Sequence, residues 1–276
     1  MKIGIVGLGL IGGSLLKALR ENVKGVKLVG ISRSTRALEY GDGLADKLSK
    51  NIANVRDCDF VFIADHIGEI PNILDELEKI VSKKCIVSDV GSVKAMIMKK
   101  ARPYVFIGGH PMAGTERRGF ENSFAELFKG VKWVLTPKSN ESKSNVDKLK
   151  KIIESVGAKT IITTPKKHDE AVAIISHMPS LLANALMMTL KDNKLAKELA
   201  AGGFRDMTRL ALQNTDMAAD MKRFNGENMA AAVEALAKNI YLLESLPVGA
   251  YHDEISAAKS IREKMYDKDG RNIVKS

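Results

Sequence analysis

The stretch GGHPMAGTE, Gly108–Glu116, sets a histidine against a proline and continues through small residues into a Gly-Thr-Glu turn. An apolar run, Tyr104–Ile107, precedes it and reads as a buried strand. His110 is therefore expected where a strand ends and a loop begins, which is where α/β proteins keep their chemistry. An imidazole of unperturbed pKa about 6.5 could take a proton there at neutral pH.

A second candidate lies in KIGIVGLGLIGGS, where Gly7-x-Gly9-x-x-Gly12 follows an apolar strand and opens a helical stretch. Gly7 permits a tight turn, Gly9 lets a pyrophosphate approach the backbone, and Gly12 lets helix and strand pack closely. Leu10 and Ile11 begin the helix, whose unpaired N–H groups and positive dipole end suit an anion. The strand that follows ends in ISRSTRAL: Ser32, Arg33, Ser34, Thr35 and Arg36, with no acid until Glu39. A carboxylate there would accept ribose hydroxyls and repel a 2′-phosphate, whereas hydroxyls and guanidinium groups can hold one. NADP is the expected cofactor, with NAD as the alternative.

The elements that must position these residues follow from periodicity. Strands are expected at Lys2–Val6, Lys27–Ile31, Phe60–Ala64, Cys85–Val90, Val105–Gly108, Trp133–Thr136 and Thr160–Thr164, with amphipathic helices at Leu15–Glu21, Ile70–Val81 and Val146–Val156 between several of them. Apolar strands alternating with helices predict a doubly wound parallel sheet of Rossmann type. After Pro165 the pattern turns helical throughout, so the expected domains are 1–165, dinucleotide-binding, and 166–276, all-α. The uncharged run Ala171–Leu190 could span a bilayer by length, but it contains His177, Pro179 and Asn184 and follows the charged KKHDE. A helix buried in a domain or a subunit interface fits it better.

The net charge of +10 is carried by scattered lysine pairs, and aromatic residues make up only 5% of the chain. No contiguous basic face interleaved with aromatics is present, so nucleic acid is not an expected partner, although anionic small molecules would be attracted. Cys58 and Cys85 both sit in apolar runs and read as reduced, buried thiols. Met1 leads directly into a strand, so a cytoplasmic protein without a targeting segment is expected. No metal-ligand spacing is evident.

Taken together, GLGLIGGS, DVGSVK at Asp89–Lys94, GGHPMAGTE, SHMPSLLANAL at Ser176–Leu186 and GGFRDMTRLA at Gly202–Ala211 resemble the prephenate dehydrogenase family, which includes arogenate and cyclohexadienyl dehydrogenases. The resemblance covers almost the whole chain in order. It implies a Rossmann-type domain followed by a helical domain through which two subunits dimerise. The implied reaction is an NAD(P)-dependent oxidative decarboxylation of prephenate or arogenate in tyrosine biosynthesis. By this resemblance His110 is the catalytic histidine, and Ser92 bonds the same substrate hydroxyl and helps orient the histidine. Arg209 would bind a carboxylate of the dicarboxylate substrate, His177 would touch the substrate, and Gly114, Thr115 and Glu116 would line its end of the cleft. Arg205 is a weaker substrate candidate that would reach a neighbouring subunit's site. His168–Asp169 matches a family pair and reads as a helix start with a structural role.

Two positions depart from the family pattern. Asp65–His66 stands where many members have serine-proline, in a loop that borders the nicotinamide, so Ala64 and Asp65 are expected to affect the cofactor. Ala218 stands where many have tryptophan. Two rivals share the glycine-rich start. A 3-hydroxyacid dehydrogenase would need a lysine in a glycine-rich interdomain segment, which is not found. A non-catalytic NADP-binding protein would have no reason to keep His110, Ser92 and Arg209 together.

Overall fold

A computed structural model describes residues 1–114, 117–268, 270 and 272–274, so Thr115 and Glu116 lie outside the described residues. The chain begins as strand β1 (Lys2–Val6), helix α1 (Leu10–Asn22), β2 (Lys27–Ile31), α2 (Thr35–Tyr40) and β3 (Lys47–Ser49). It continues as β4 (Phe60–Ile63), α3 (Ile70–Leu77), β5 (Ile86–Asp89) and β6 (Val105–Phe106). These strands form one parallel sheet in the order β3-β2-β1-β4-β5-β6. This is the doubly wound order, and its direction reverses between β1 and β4, where ligands bind beyond the strand ends.

Period-two alternation along the strands feeds two cores. Ile3, Ile5, Phe60 and Phe62 pack on one face with Leu15, Leu16 and Leu19 of α1. Val6, Val61 and Ile63 pack on the other with Ile70, Leu74 and Leu77 of α3. The turn after β1 depends on glycine. Gly7 has φ +95°, and a Cβ there would stand 2.4 Å from the carbonyl oxygen of Ala64.

The structure departs from the expected single sheet at Val105–Gly108. That run is not one strand, because β6 ends at Phe106 and a new strand, β7 (Gly108–Pro111), begins a second sheet. β7 pairs antiparallel with β8 (Lys132–Thr136), and β8 pairs parallel with β9 (Lys159–Ile162) across helix α4 (Lys143–Ser155). His110 consequently lies within a strand, opposite Val134, rather than in the loop that the sequence suggested. The glycines before it make this possible. A Cβ on Gly109 would stand 2.5 Å from the carbonyl oxygen of Asp89, so only a bare backbone can cross the end of β5 this closely. The short strand β3 has no apolar signature and was not expected.

From Pro165 the chain is helical: α5 (Pro165–Val172), a π-helical turn (Ala173–His177), α6 (Met178–Thr189), α7 (Lys194–Leu199) and α8 (Gly202–Thr208). A 3₁₀ turn (Arg209–Leu212), α9 (Thr215–Ser245) and α10 (Val248–Met265) follow. The stretch Pro165–Thr189 is long and apolar enough to cross a membrane by composition. It is interrupted by the π turn, and Pro179, which lacks an N–H, sits in the first turn of α6. Two compact units are present, Met1–Gly226 and Glu227–Ser276, and they divide one residue beyond Asn225, where α9 loses helical geometry.

Within the first unit a fully buried ion pair joins the two sheets. Asp89 at the end of β5 meets the Lys94 ammonium, and both side chains are inaccessible to solvent. Lys94 Nζ also donates to the Gly109 carbonyl at 2.7 Å, and Asp89 accepts from the amides of Gly91 at 2.9 Å and Gly109 at 3.1 Å. Removing one partner of a buried pair leaves the other charge without compensation. Lys94→Met should therefore lower stability by about 3–5 kcal/mol in urea denaturation. A loss below about 1 kcal/mol would mean the pair does not hold the sheets together.

Candidate active site

The reversal between β1 and β4 is built for an anion. Apart from Gly9 and its chain neighbours, no atom of the described residues lies within 4 Å of the point where a Gly9 Cβ would stand, so the backbone there is open to a ligand. Gly9 is the N-cap of α1 without a side-chain cap, and the helix has no acid in its first turn. The free N–H groups at this helix start, including those of Leu10 and Ile11, therefore fit a pyrophosphate. Gly12 packs against the turn, since its Cβ would stand 1.9 Å from the Gly7 carbonyl oxygen. These features fit a dinucleotide.

The ribose end is more committed than its sequence suggested. Ser32 Oγ already accepts from the Ser34 amide at 3.2 Å, and Ser34 Oγ caps α2 by accepting from the Ala37 amide at 3.3 Å. Arg33 pairs with Asp65, beside Ala64 at the end of β4, at 3.2 Å. Arg36 leans on Tyr40 and lies 3.6 Å from Glu121. Each guanidinium thus has a carboxylate neighbour that arrives from another loop. The reading of residues 32–36 alone had no way to see these acids.

His110 lies in a network that the sequence reading had divided. Its Nδ1 is 2.9 Å from Nε2 of His168 in α5, and His168 Nδ1 is 2.7 Å from Oδ1 of Asp169. The Asp169 carboxylate also accepts from the backbone amides of Lys94 and Ala95, at 2.7 and 2.8 Å. Asn225 Nδ2 donates to the Asp169 carbonyl at 2.8 Å and lies 3.1 Å from Nδ1 of His177. An amide N–H facing Nδ1 makes that nitrogen the acceptor, so the His177 ring proton sits on Nε2. His177 Nε2 and Ser92 Oγ are both buried without a hydrogen-bond partner among the described residues. Two orphaned polar groups beside a histidine network are ready-made contacts for a polar ligand.

Burial, reinforced by neighbouring His168, Lys94 and His177, holds the His110 imidazole well below the ordinary histidine value. Burial likewise pushes His177 down to about 4. Both rings are neutral at pH 7, so the sequence-based expectation of a titration near the unperturbed value shifts to lower pH.

The network links His110 to His177 through His168, Asp169 and Asn225, and it reaches the Ser92 segment at the Lys94 amide, two residues further on. Ser92 does not bond His110; His168 holds that ring instead. Arg209 and Arg205 stand outside the network. Both are exposed, and Arg205 pairs with Asp206 at 3.1 Å. The Arg209 turn packs on α6, to which Gln213 is tied by a hydrogen bond to Ser180. Gly114 is exposed, with open space where its Cβ would be. The sequence reading missed the parts played by Asp89, Lys94, His168, Asp169 and Asn225. Asp89 and Lys94 left a signal, because they are the only charges in the run Cys85–Met98.

Comparison with known proteins gives this geometry a lineage. The model of the prephenate dehydrogenase nucleotide-binding domain matches residues 15–162, and that of the prephenate dehydrogenase dimerization domain matches 164–257. Prephenate dehydrogenase of Bacillus subtilis is 31% identical over 82% of this chain, and the chain spans 64% of that relative's length. The crystal structure of Synechocystis arogenate dehydrogenase superposes with a TM-score of 0.84 at 32% identity, covering 96% of this chain and 99% of that one. Prephenate dehydrogenase from Aquifex aeolicus, solved with hydroxyphenyl propionate and NAD+, gives 0.83 at 31% identity, covering 95% of this chain and 96% of its own. With both domain types matched in order and both solved relatives superposing nearly end to end, the chain belongs to the prephenate dehydrogenase family.

Proposed function

We propose that the chain catalyses the NAD(P)-dependent oxidative decarboxylation of prephenate to 4-hydroxyphenylpyruvate, or of arogenate to tyrosine. The reading is carried by a neutral His110, held in a bonded network beside two buried polar atoms, Ser92 Oγ and His177 Nε2, that lack hydrogen-bond partners among the described residues. The bound nicotinamide supplies the hydride acceptor. His110 takes the proton of the ring hydroxyl as the C4–H bond gives up its hydride, the ring carboxylate leaves as carbon dioxide, and the ring becomes aromatic. Ser92 Oγ and the His177 Nε2–H offer hydrogen bonds to the substrate. Because His177 is neutral, it contributes no positive charge, so the carboxylates depend on Arg209, with Arg205 as a weaker candidate. Gly114, Thr115 and Glu116 complete the substrate end.

At the cofactor's ribose we propose a preference for NADP, read from Ser32, Arg33, Ser34 and Arg36. A 2′-phosphate would have to draw Arg33 away from Asp65, and the Arg33 side chain is 74% exposed and free to turn. Composition divides the protein into 1–165 and 166–276, and we propose that the helical part joins two copies into a cytoplasmic homodimer. Ile174, Ile175, Met188, Leu195 and Leu199 are exposed in the first unit, as are Tyr241, Val248 and Ile261 in the second. Faces this apolar are interaction surfaces in stable proteins.

His110→Asn should lower kcat by about 10²–10⁴-fold with little change in cofactor affinity, and Arg209→Ala should chiefly raise KM. Protonation of His110 removes the base, and its lowered pKa moves that loss downward. Wild-type kcat/KM should stay level as the pH falls through 6.5 and decline only below it. A limb at or above that value, absent in His110→Asn, would contradict this. Asp65→Asn should raise the NADP-to-NAD efficiency ratio by freeing Arg33, and Ser32→Asp should lower it; an unchanged ratio in both would remove the loop from cofactor choice. Light scattering should give a dimer at micromolar concentration, and a stable monomer would refute the interface.

A further inference from the structure

The hydrogen bonds behind His110 determine which of its nitrogens carries the proton. The Asp169 carboxylate receives the Lys94 amide, the Ala95 amide and His168 Nδ1. A carboxylate held by three donors only accepts, so His168 donates through Nδ1 and presents a lone pair at Nε2. His110 must then donate to it through Nδ1, and His110 Nε2 is left unprotonated on the other side of the ring. His168 and Asp169 are buried, so the His168 ring does not exchange this arrangement for bonds to water.

We propose that His168 and Asp169 are positioning residues that fix His110 as its Nδ1–H tautomer and share the positive charge it acquires from a substrate hydroxyl. The proposal rests on His110 being the base. As the hydroxyl O–H bond breaks, the proton bonds to His110 Nε2 and the electron pair stays on the substrate oxygen. The imidazolium so formed donates through Nδ1 to His168, and the Asp169 carboxylate at the end of the chain is its counter-charge. Among the described residues, the other ionisable groups facing His110 do not favour a positive ring. They are Lys94, from the segment after β5, whose charge Asp89 balances, and the neutral His177 of the π turn. Asp169 therefore decides whether the base can accept its proton.

The first test needs no variant. Ring ¹⁵N shifts of the folded wild-type protein should show His110 protonated at Nδ1 and free at Nε2, and a proton on Nε2 instead would overturn the proposal. In Asp169→Asn the new amide can donate to His168 Nδ1, which would reverse both tautomers. His168→Asn breaks the relay while leaving the bonds from Asp169 to Lys94 and Ala95 in place. Both variants should lose about 10²–10⁴-fold in kcat, with KM and cofactor affinity within about threefold and the acid limb of the pH profile displaced. His110→Asn is the control. If it loses activity while the folded His168 and Asp169 variants keep kcat and the pH profile, the relay alone is wrong. If His110→Asn keeps normal kcat, the base assignment fails and the relay fails with it.

Discussion

The site depends on how the segment Ser92–Ala95 is held at the end of β5. Its one lysine reaches sideways, pairs with Asp89 and grips the Gly109 carbonyl, while Asp89 holds the Gly109 amide. The backbone amides of Lys94 and Ala95 point instead to Asp169. The same short segment thus fixes His110 twice, through the main chain of the residue before it and, by way of Asp169 and His168, through its ring. A buried ion pair is seldom a net gain in stability over apolar residues of similar volume. What the pair contributes here is direction: two fully desolvated charges tolerate few arrangements, and the one they adopt sets strand β7 across the sheet.

Much of the frame was legible because it obeys periodicity. The strands that feed two cores, the glycine turn after β1 and the change to helices at Pro165 all follow from side-chain pattern and backbone freedom. The second sheet was not legible. Val105–Gly109 is continuously apolar or small, and nothing in its pattern marks Ile107 as a break between two sheets. That break exists because Gly109 can touch Asp89, a contact made between residues 20 positions apart. His168–Asp169 was misread for a related reason. A polar pair at a helix start is normally an end-capping device, and here Thr164 already caps that helix, which frees the pair to turn inward.

Charges at the cofactor end follow the same rule of partners supplied from elsewhere. Residues 32–36 look cationic in isolation, but Asp65 and Glu121 stand against Arg33 and Arg36 in the fold. The departure at Asp65 is therefore not a detail of the nicotinamide loop alone. It brings to the end of β2 the acid that this strand does not carry, held in the loop after β4 and paired with an arginine rather than presented to a hydroxyl. On the proposed preference for NADP, discrimination between cofactors would depend on how readily Arg33 exchanges one anion for another, an exposed and salt-sensitive competition.

The substrate end is arranged differently. His110 and His177 are neutral, Lys94 is consumed by Asp89, and the arginines lie at the exposed surface of the helical segment. On the proposed function, an anionic substrate would meet positive charge at the exposed surface and neutral hydrogen-bonding groups where it reacts. This division suits a reaction in which one carboxylate must depart. A cation buried against the leaving carboxylate would stabilise the substrate and hold back loss of carbon dioxide, whereas uncharged donors stabilise it less. The π turn serves the same end. By widening the helix at Ala173–His177 it turns one imidazole inward to Asn225, while Ile174 and Ile175 remain exposed on the surface. One irregular turn thereby supplies both a buried imidazole, whose Nε2 has no hydrogen-bond partner among the described residues, and an apolar face.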